Sequence, residues 1–165
     1  MDYLYSIVIY PILYILPAYV ANGAPVLFGG GRAIDAGKKL WGNPIFGKNK
    51  TVRGLLTGVL AGTLIGLVEA PLLPYMILVG IVLSIGTHMG DLFGSFIKRR
   101  MGQGPGQSSQ VMDQYLFVII ALILAYPLGY TPPLYGVVFI LVITGALHIL
   151  TNIVAHRMRL KAVPW

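Results

Sequence analysis

The sequence contains no cysteine and few charged residues. Only 10% of its 165 residues are Asp, Glu, Lys or Arg, whereas 56% are apolar, and the mean hydropathy is +0.79. The lack of cysteine excludes disulfides, zinc–thiolate sites and thiol catalysis. Soluble domains carry about 25% charged residues, so this chain has too few charges to cover a water-facing surface. We therefore expect an integral membrane protein.

Five apolar segments predict membrane-spanning helices. The N-terminus has no basic region, and Pro11 and Pro17 interrupt the first apolar run, so we interpret that run as a first span rather than a cleaved signal peptide. We predict an all-α, polytopic membrane protein formed by one domain, 1–165, with two functional cytoplasmic loops, 23–53 and 97–113. The predicted spans are residues 3–22, 54–70, 72–96, 114–130 and 133–153.

The basic residues lie on one side of the predicted membrane. Six of the twelve Lys and Arg residues lie in the first loop, three follow the third span, and three lie in the C-terminal tail. The positive-inside rule therefore places the N-terminus outside the cell membrane, and the tail and both basic loops in the cytoplasm. Topology and attraction to anionic lipid head groups explain a basic face of this kind. They do not explain why the first loop is so long and so rich in glycine.

The end of the first loop has a composition suited to binding a polyphosphate. The segment Gly47-Lys48-Asn49-Lys50-Thr51-Val52-Arg53-Gly54 combines glycines with cationic and hydroxyl side chains. Glycine lets backbone N–H groups approach an anion, and Lys and Arg neutralise phosphate charge. The segment lacks the spacing of a P-loop and follows no predicted strand, so we exclude that fold.

Acidic residues are rare enough to be considered one by one. In the third span, Asp91 lies on one helix face with Thr87, Ser95 and Lys98. An acidic residue in a membrane helix is a candidate functional group. Asp91 either pairs with Lys98 or Arg99 at the interface or holds Mg²⁺ beside phosphate groups.

The other acidic residues allow a similar choice. Asp113 begins the fourth span and is either a helix cap or a metal ligand. Because the third and fourth spans are antiparallel, Asp91 and Asp113 lie at the cytoplasmic ends of both and can meet at one depth. Glu69 lies near the outer turn, where we expect it to be solvated.

In span five, Thr144, His148 and Thr151 share a face, with Asn152 and His156 nearby, and we favour interhelical hydrogen bonds for this group.

These residues together resemble a known family. Ser95-x-x-Lys98-Arg99, then a Gly/Pro-rich loop and Asp113, is similar to the signature of the CTP:phosphatidate cytidylyltransferases, and Gly90-Asp91-Leu92 matches the same region. The short five-span form and the segment 47–54 resemble the archaeal branch, the CDP-archaeol synthases. The sequence departs from the bacterial pattern in three places. The second loop lacks the Lys-Asp pair that the pattern has between Lys-Arg and Pro-Gly. Gln107-Ser108-Ser109 replaces a His-Gly-Gly run, and Leu116 stands where the family has a second Asp.

The resemblance implies a reaction, a cofactor and a site. CTP and 2,3-bis-O-(geranylgeranyl)-glycerol 1-phosphate would give CDP-archaeol and pyrophosphate, with Mg²⁺ as cofactor and no nucleic-acid partner. Asp91 and Asp113 would hold Mg²⁺ and form the catalytic set with Lys98 and Arg99. The residues implied to bind the substrates are Asn22, Asp35, Lys48, Lys50, Thr51, Arg53, Ser95 and Gln114.

Three other functions are compatible with parts of this pattern. A CDP-diacylglycerol synthase acting on ester phosphatidate has equally apolar substrate chains. A non-catalytic transport or lipid-binding subunit predicts polar residues across the whole membrane, whereas most of those here lie towards the basic side. A CDP-alcohol phosphotransferase carries a run of three or four Asp with Gly and Arg, which this sequence lacks.

Overall fold

The structure is a computed structural model that describes residues 3–104 and 109–157. It is an all-α bundle of five helices with one two-stranded hairpin, β1 and β2, in the first loop. A π-helical turn, Tyr5–Ile9, leads directly into the first helix. The elements are α1 Tyr10–Phe28, β1 Lys39–Leu40, β2 Asn43–Pro44, α2 Val52–Glu69, α3 Met76–Arg100, α4 Gln110–Ala125 and α5 Leu134–Arg157.

The helices confirm the predicted fold class of a multi-pass membrane protein. Four helical segments are long and apolar enough to cross a membrane: Tyr5–Phe28, Val52–Glu69, Met76–Arg100 and Leu134–Thr151. The fourth predicted span corresponds to a shorter apolar stretch, Met112–Leu128. Large apolar side chains are exposed along the outside of the bundle, as expected where lipid replaces water.

The helix ends differ from the predicted spans, so the connecting loops are shorter than 23–53 and 97–113. Helix α1 continues through the Asn-Gly-Ala-Pro segment to Phe28, with Pro17 and Pro25 inside it. Helix α3 extends to Arg100, and α4 begins at Gln110. Glycine and proline interrupt isolated helices, but neighbouring helices in a membrane bundle tolerate them. Lys98 and Arg99 are therefore residues of the last helical turn and not of a loop.

Glycines at every fourth position bring α2 against α1 and α3. Gly58, Gly62 and Gly66 are buried, and a Cβ added at Gly62 would lie 2.6 Å from the Pro17 carbonyl oxygen of α1 and 2.0 Å from Ser84 Oγ of α3. Small residues let membrane helices approach to backbone contact, and van der Waals packing then stabilises the pair. This packing fixes the position of the α2 N-terminus relative to α3.

Helices α3 and α4 pack in the same way, and their glycines define the register. Gly90 contacts the backbone at Leu116, and Gly94 lies beside Leu116 and the Met112 carbonyl. The pair is therefore antiparallel. The buried core runs from α1 through α3 to α4 and Ile140 of α5, and the fully buried side chains include Tyr14, Ile15, Met76, Val79, Leu83 and Val118.

The end of the bundle away from the basic loops is closed by aromatic rings. Tyr75 and Tyr130 stack with ring centroids 4.1 Å apart. The expectation that Glu69 is solvated is wrong, because Glu69 is only 7% exposed. Its side chain is enclosed at the end of α2, where the chain turns towards α3.

Candidate functional site

The first loop and α3 meet through an ion pair. Lys50 Nζ lies 2.6 Å from both carboxylate oxygens of Asp91. The two side chains are 27% and 34% exposed, so the pair is open to its surroundings on one side. The cation that neutralises Asp91 therefore comes from the first loop, and not from Lys98 or Arg99 as the structural alternative supposed.

Backbone hydrogen bonds hold Lys50 in place. The Ile34 N–H donates to the Lys50 carbonyl at 2.8 Å, and Ala33 pairs with Thr51 in an isolated bridge. Thr51 is buried and caps α2, its Oγ1 accepting from the Gly54 N–H at 3.1 Å. The capped N-terminus of an 18-residue helix thus lies next to Lys50, and such an end favours an anion.

Asp35 lies inside the first loop and holds its backbone through hydrogen bonds. It is 6% exposed, and its carboxylate accepts hydrogen bonds from the N–H groups of Gly37, Phe46 and Gly47 at 2.8–3.0 Å. Burial acts to raise the pKa of Asp35, but the donors from Gly47, Phe46 and Gly37 together hold its pKa below the ordinary value. These contacts are those of a residue that orients the loop.

Two adjoining polar cavities surround the Lys50–Asp91 pair. One of about 80 Å³ and one of about 270 Å³ share Pro25, Asn49, Lys50, His88 and Asp91 in their walls. The smaller cavity also reaches Thr51, and the larger one reaches Asn22. The structure therefore brings together four of the predicted site residues, Asn22, Lys50, Thr51 and Asp91.

Asp113 has a partner of its own. Lys98 Nζ donates to Asp113 Oδ1, and the Ser109 N–H donates to Asp113 Oδ2 at 2.9 Å. The second contact lies in the first turn of α4, where Ser109 is the N-cap residue, so Asp113 binds an N–H of the helix start without being the cap itself. Neither Asp113 nor Lys98 lines the two polar cavities around Asp91.

The packing register shows how the two carboxylates are arranged in depth. Gly94 lies beside Met112, and Asp91 precedes Gly94 by three residues, about 4.5 Å along the helix axis. Asp113 follows Met112 by one residue in the antiparallel α4, so Asp91 and Asp113 are only about 3 Å apart in depth, less than one helical turn, at the same end of the bundle. Their joint role in holding a metal stays a prediction.

Arg99 is the most unusual of the remaining predicted residues. It is 4% exposed, and its Nε and Nη1 atoms have no hydrogen-bond partner within residues 3–104 and 109–157. A buried cation without a partner is costly, and an anion would satisfy it. Of the others, Ser95 is buried, Gln114 is half-buried, and Lys48 and Arg53 are exposed.

The sequence analysis missed two residues of the cavity walls. Asn49 lies within the predicted phosphate-binding segment, and His88 lies three residues before Asp91, on the neighbouring part of the α3 surface. His88 is 7% exposed, and its Nε2 atom packs against Gly58 of α2. The helical period around Asp91 is the sequence signal that could have indicated His88.

A more apolar cavity opens beside this site. It has a volume of about 360 Å³ and lies between α1, α4 and α5, with Asn22 and Val26 in a wall shared with the larger polar cavity. The span-five residues predicted to form interhelical hydrogen bonds line it, and Thr144 bonds to Tyr19 at 2.7 Å. Its other lining residues are Gly23, Phe117, Leu147, His148 and Thr151.

Some predicted positions lie outside the residues that the structure describes. These are Gln107 and Ser108 of the second loop, the tail cations Arg159 and Lys161, and the side chains of Asn152 and His156. Within the described ranges no three His, Cys, Asp or Glu residues form a group able to hold a metal ion.

Comparison with known families identifies close similarity along nearly the whole chain. A model of the CarS-like CDP-archaeol synthase family matches residues 4–165. The CDP-archaeol synthase of Pyrococcus horikoshii is 49% identical over 161 residues, covering 92% of this chain and 94% of the relative. That of Methanopyrus kandleri is 44% identical over 156 residues, covering 92% and 90%.

A solved structure has the same fold. It is that of an intramembrane enzyme for archaeal membrane lipid biosynthesis, with a TM-score of 0.82 and 35% sequence identity. The match covers 86% of this chain and 92% of the solved chain. The resemblance stated from the sequence is therefore confirmed over both of its motif regions and all five helices.

Proposed function

Since this chain belongs to the CDP-archaeol synthase family, and is accordingly a membrane-embedded cytidylyltransferase of lipid biosynthesis, we propose that it forms CDP-archaeol and pyrophosphate from CTP and 2,3-bis-O-(geranylgeranyl)-glycerol 1-phosphate in a Mg²⁺-dependent reaction. The observation that carries the proposal is the Lys50–Asp91 pair at the N-terminus of α2, inside a polar cavity. A cation, a carboxylate and a helix N-terminus are the groups that a nucleoside triphosphate with a divalent metal needs.

The proposed chemistry is a phosphoryl displacement between two anions. An oxygen of the lipid phosphate forms a bond to the α-phosphorus of CTP, and the bond from that phosphorus to the bridging oxygen breaks, which releases pyrophosphate. The nucleophile is already ionised, so no strong base is required. Neutralising charge is the main task, and Lys50, Arg99 and the α2 N-terminus supply it.

In this proposal Lys50 has one partner before the nucleotide binds and another afterwards. In the structure its ammonium group neutralises Asp91 at 2.6 Å. When a triphosphate enters the cavity, Lys50 donates to phosphate oxygens, and Thr51 donates from its hydroxyl. Lys48 and Arg53 lie exposed on the same segment, where they attract CTP and hold the outer phosphates.

The residues present fit a magnesium ion. Mg²⁺ is commonly bound by one or two carboxylates together with waters and substrate phosphates, and Asp91 offers a carboxylate on a polar cavity where Lys50 now supplies the positive charge. Asp91 would hold the ion, with Asp113 as the second carboxylate less than one turn away in depth. When bound, Mg²⁺ neutralises charge on the triphosphate and on the leaving pyrophosphate.

The cavity of about 360 Å³ suits the lipid substrate. It adjoins the polar cavity at Asn22 and Val26, so a lipid phosphate at that junction reaches the nucleotide while its chains stay among apolar helices. Asn22, within α1, is placed to hydrogen bond to the phosphate or to the glycerol oxygens. The apolar walls have no feature that separates ether from ester chains.

The basic end of the bundle is the cytoplasmic one in this proposal. The cationic residues of this end lie just before or at the ends of helices on the same side of the bundle: Lys50 of the first loop, Arg53 of α2, and Lys98, Arg99 and Arg100 of α3. The positive-inside rule supports this orientation, and CTP is found on that side. The N-terminus and the Tyr75–Tyr130 stack then face outwards.

Pyrophosphate release tests the proposal. The purified chain in lipid vesicles is given CTP with the isoprenoid glycerol-ether phosphate, with and without Mg²⁺, and the matched control is the same lipid lacking its phosphate. We expect release only when CTP, lipid phosphate and Mg²⁺ are all present. Release that persists without Mg²⁺, or with the unphosphorylated lipid, would contradict the mechanism. Competition between ether and ester phosphates then measures the chain preference.

A further inference from the structure

We propose that the hairpin formed by residues 39–44 is a membrane-interface anchor, with Trp41 inserted among lipid head groups on the side of α3 opposite the nucleotide cavity. Strands β1 and β2 are joined by a two-residue turn, Trp41-Gly42, with both φ angles positive, at +51° and +82°. The Trp41 side chain is 80% exposed. A bulky residue rarely adopts this backbone conformation, so the fold keeps a large aromatic ring outside the protein at an energetic cost.

Arg100, the last residue of α3, fixes the hairpin to the bundle. Its guanidinium donates to the backbone carbonyls of Leu40, Asn43 and Pro44. Its Cζ atom lies 5.6 Å from the centre of the Trp41 ring and 5.2 Å from that of Phe96. Trp41 is therefore held at the end of α3 and does not extend freely away from the bundle.

The face of α3 beneath the hairpin is the one exposed to lipid. At 100° per residue, Met89, Phe93, Phe96 and Arg100 fall within about 60° of one another. Met89 and Phe93 are 51% and 50% exposed in the described structure, as expected for a spanning helix in contact with lipid chains. The hairpin lies over the basic end of this stripe, where membrane proteins concentrate Trp and Tyr.

The nucleotide cavity lies on the other side of the helix. Asp91, Ser95 and Lys98 are turned about 180° away from the Met89–Arg100 stripe. Trp41 is therefore poorly placed to stack on a nucleotide bound at Asp91, although an exposed aromatic in a cytidylyltransferase first suggests that role.

Charge and shape both favour a lipid surface as the partner. Lys38 and Lys39 are exposed beside the turn, and anionic head groups attract such residues. Directly after the hairpin, residues 45–46 form an open groove of about 570 Å³ with α3 and α4, lined by apolar side chains that include Phe46, Met89 and Phe93. The groove meets the smaller polar cavity at Leu92. A chain of a bilayer lipid fits this groove. Because Asp35 bonds to Phe46 and Gly47, the anchor also sets the position of the loop that carries Lys50.

Tryptophan fluorescence tests the proposal without nucleotide or turnover, so its outcome is independent of the proposed reaction. The chain has two tryptophans, and Trp165→Phe leaves Trp41 as the reporter. The full-length variant is placed in phosphatidylcholine–phosphatidylglycerol vesicles, either unlabelled or brominated near the head group. We expect emission at shorter wavelength than that of tryptophan in water, loss of intensity with the brominated lipid, and weak quenching by acrylamide.

Two results would overturn the anchor. Long-wavelength emission quenched by acrylamide would place Trp41 in water. Short-wavelength emission insensitive to bromine would mean that protein covers the ring, a second copy of the chain included. Arg100→Gln in the same background should reduce the bromine effect, because the hairpin loses its donors. Arg32→Gln, which removes an exposed cation of the same loop, is the control and should leave the effect unchanged. Equal bromine quenching in both variants would contradict the role of Arg100.

Discussion

The two ends of the bundle place an acidic side chain of a membrane helix in different surroundings. At the basic end, Asp91 lies on a polar cavity with Lys50 Nζ 2.6 Å from both of its oxygens. At the opposite end, Glu69 is 7% exposed, and both of its carboxyl oxygens are buried with no hydrogen-bond partner in the described residues. An acidic residue in a membrane helix therefore identifies a reactive site only together with its neighbours. A cation, a cavity and a helix N-terminus distinguish Asp91.

The largest expected effect separates these two carboxyl groups directly. Asp91→Asn removes the charge that pairs with Lys50 and that holds the metal in the proposed mechanism, so we expect turnover to fall by about 10²–10³-fold, the cost of losing one electrostatic group of an active site. Glu69→Gln keeps size and shape at the other end and should leave turnover unchanged. Pyrophosphate release by both variants measures the difference, and equal activity of the two would remove the distinction.

The glycine stripe of α2 connects the two ends, and overpacking it should damage both. In Gly62→Val the added carbons meet the Pro17 carbonyl and Ser84 Oγ, so we expect a loss of about 3 kcal/mol of stability together with activity. Gly23→Ala is the matched control, because an added Cβ there has no heavy atom within 4 Å. Thermal unfolding measures the stability of the two purified variants. A Gly62→Val protein as stable as Gly23→Ala would contradict the helix packing.

Asp35 gives the basic end a dependence on pH. Because its pKa is lower in the folded protein than in the unfolded chain, its contribution is complete above the ordinary pKa of Asp and is lost as pH falls through the lowered value. Asp35→Asn should reduce stability at neutral pH by about 1–3 kcal/mol, since one of its two acceptor oxygens is lost. The variant should also lack part of the wild-type decline in acid. Unfolding midpoints across acidic pH test this, and parallel curves would contradict it.

The smallest expected effect concerns the second carboxylate of the basic end. Asp113 accepts from the Ser109 N–H at the start of α4, so Asp113→Ala, which removes the acceptor, should reduce stability by about 1 kcal/mol. We also expect a smaller loss of turnover than for Asp91→Asn, because Asp113 lies outside the polar cavities. Turnover and unfolding of the two variants, measured together, rank the residues. A larger catalytic loss at Asp113 would reverse their roles.

The sequence was sufficient to predict the class of fold and some of the residues that line the two polar cavities. Low charge and long apolar runs determine a helical membrane protein, because only helices and closed barrels satisfy every backbone group in lipid. Asp91, Lys50 and Thr51 were found because their chemistry is conspicuous in so apolar a chain.

The remaining features depend on tertiary contacts that have no local signal. The partner of Asp91 is 41 residues away in sequence, so only the folded loop shows that it is Lys50. The burial of Glu69 likewise depends on how the turn after α2 packs. Proline lacks a backbone N–H and by itself predicts the end of a helix. Helix α1 nevertheless continues past Asn22 and through Pro25, because neighbouring helices in the bundle tolerate proline.

Binding of CTP is the most direct test of the claim that the Lys50–Asp91 cavity receives the nucleotide with its metal. Equilibrium binding of CTP to the purified wild-type chain and to Asp91→Asn is measured with and without Mg²⁺, with Glu69→Gln as the control. We predict that Mg²⁺ strengthens CTP binding to the wild type and to Glu69→Gln, and that this enhancement is lost in Asp91→Asn. An Asp91→Asn protein that binds CTP with undiminished affinity and full Mg²⁺ enhancement would contradict the account.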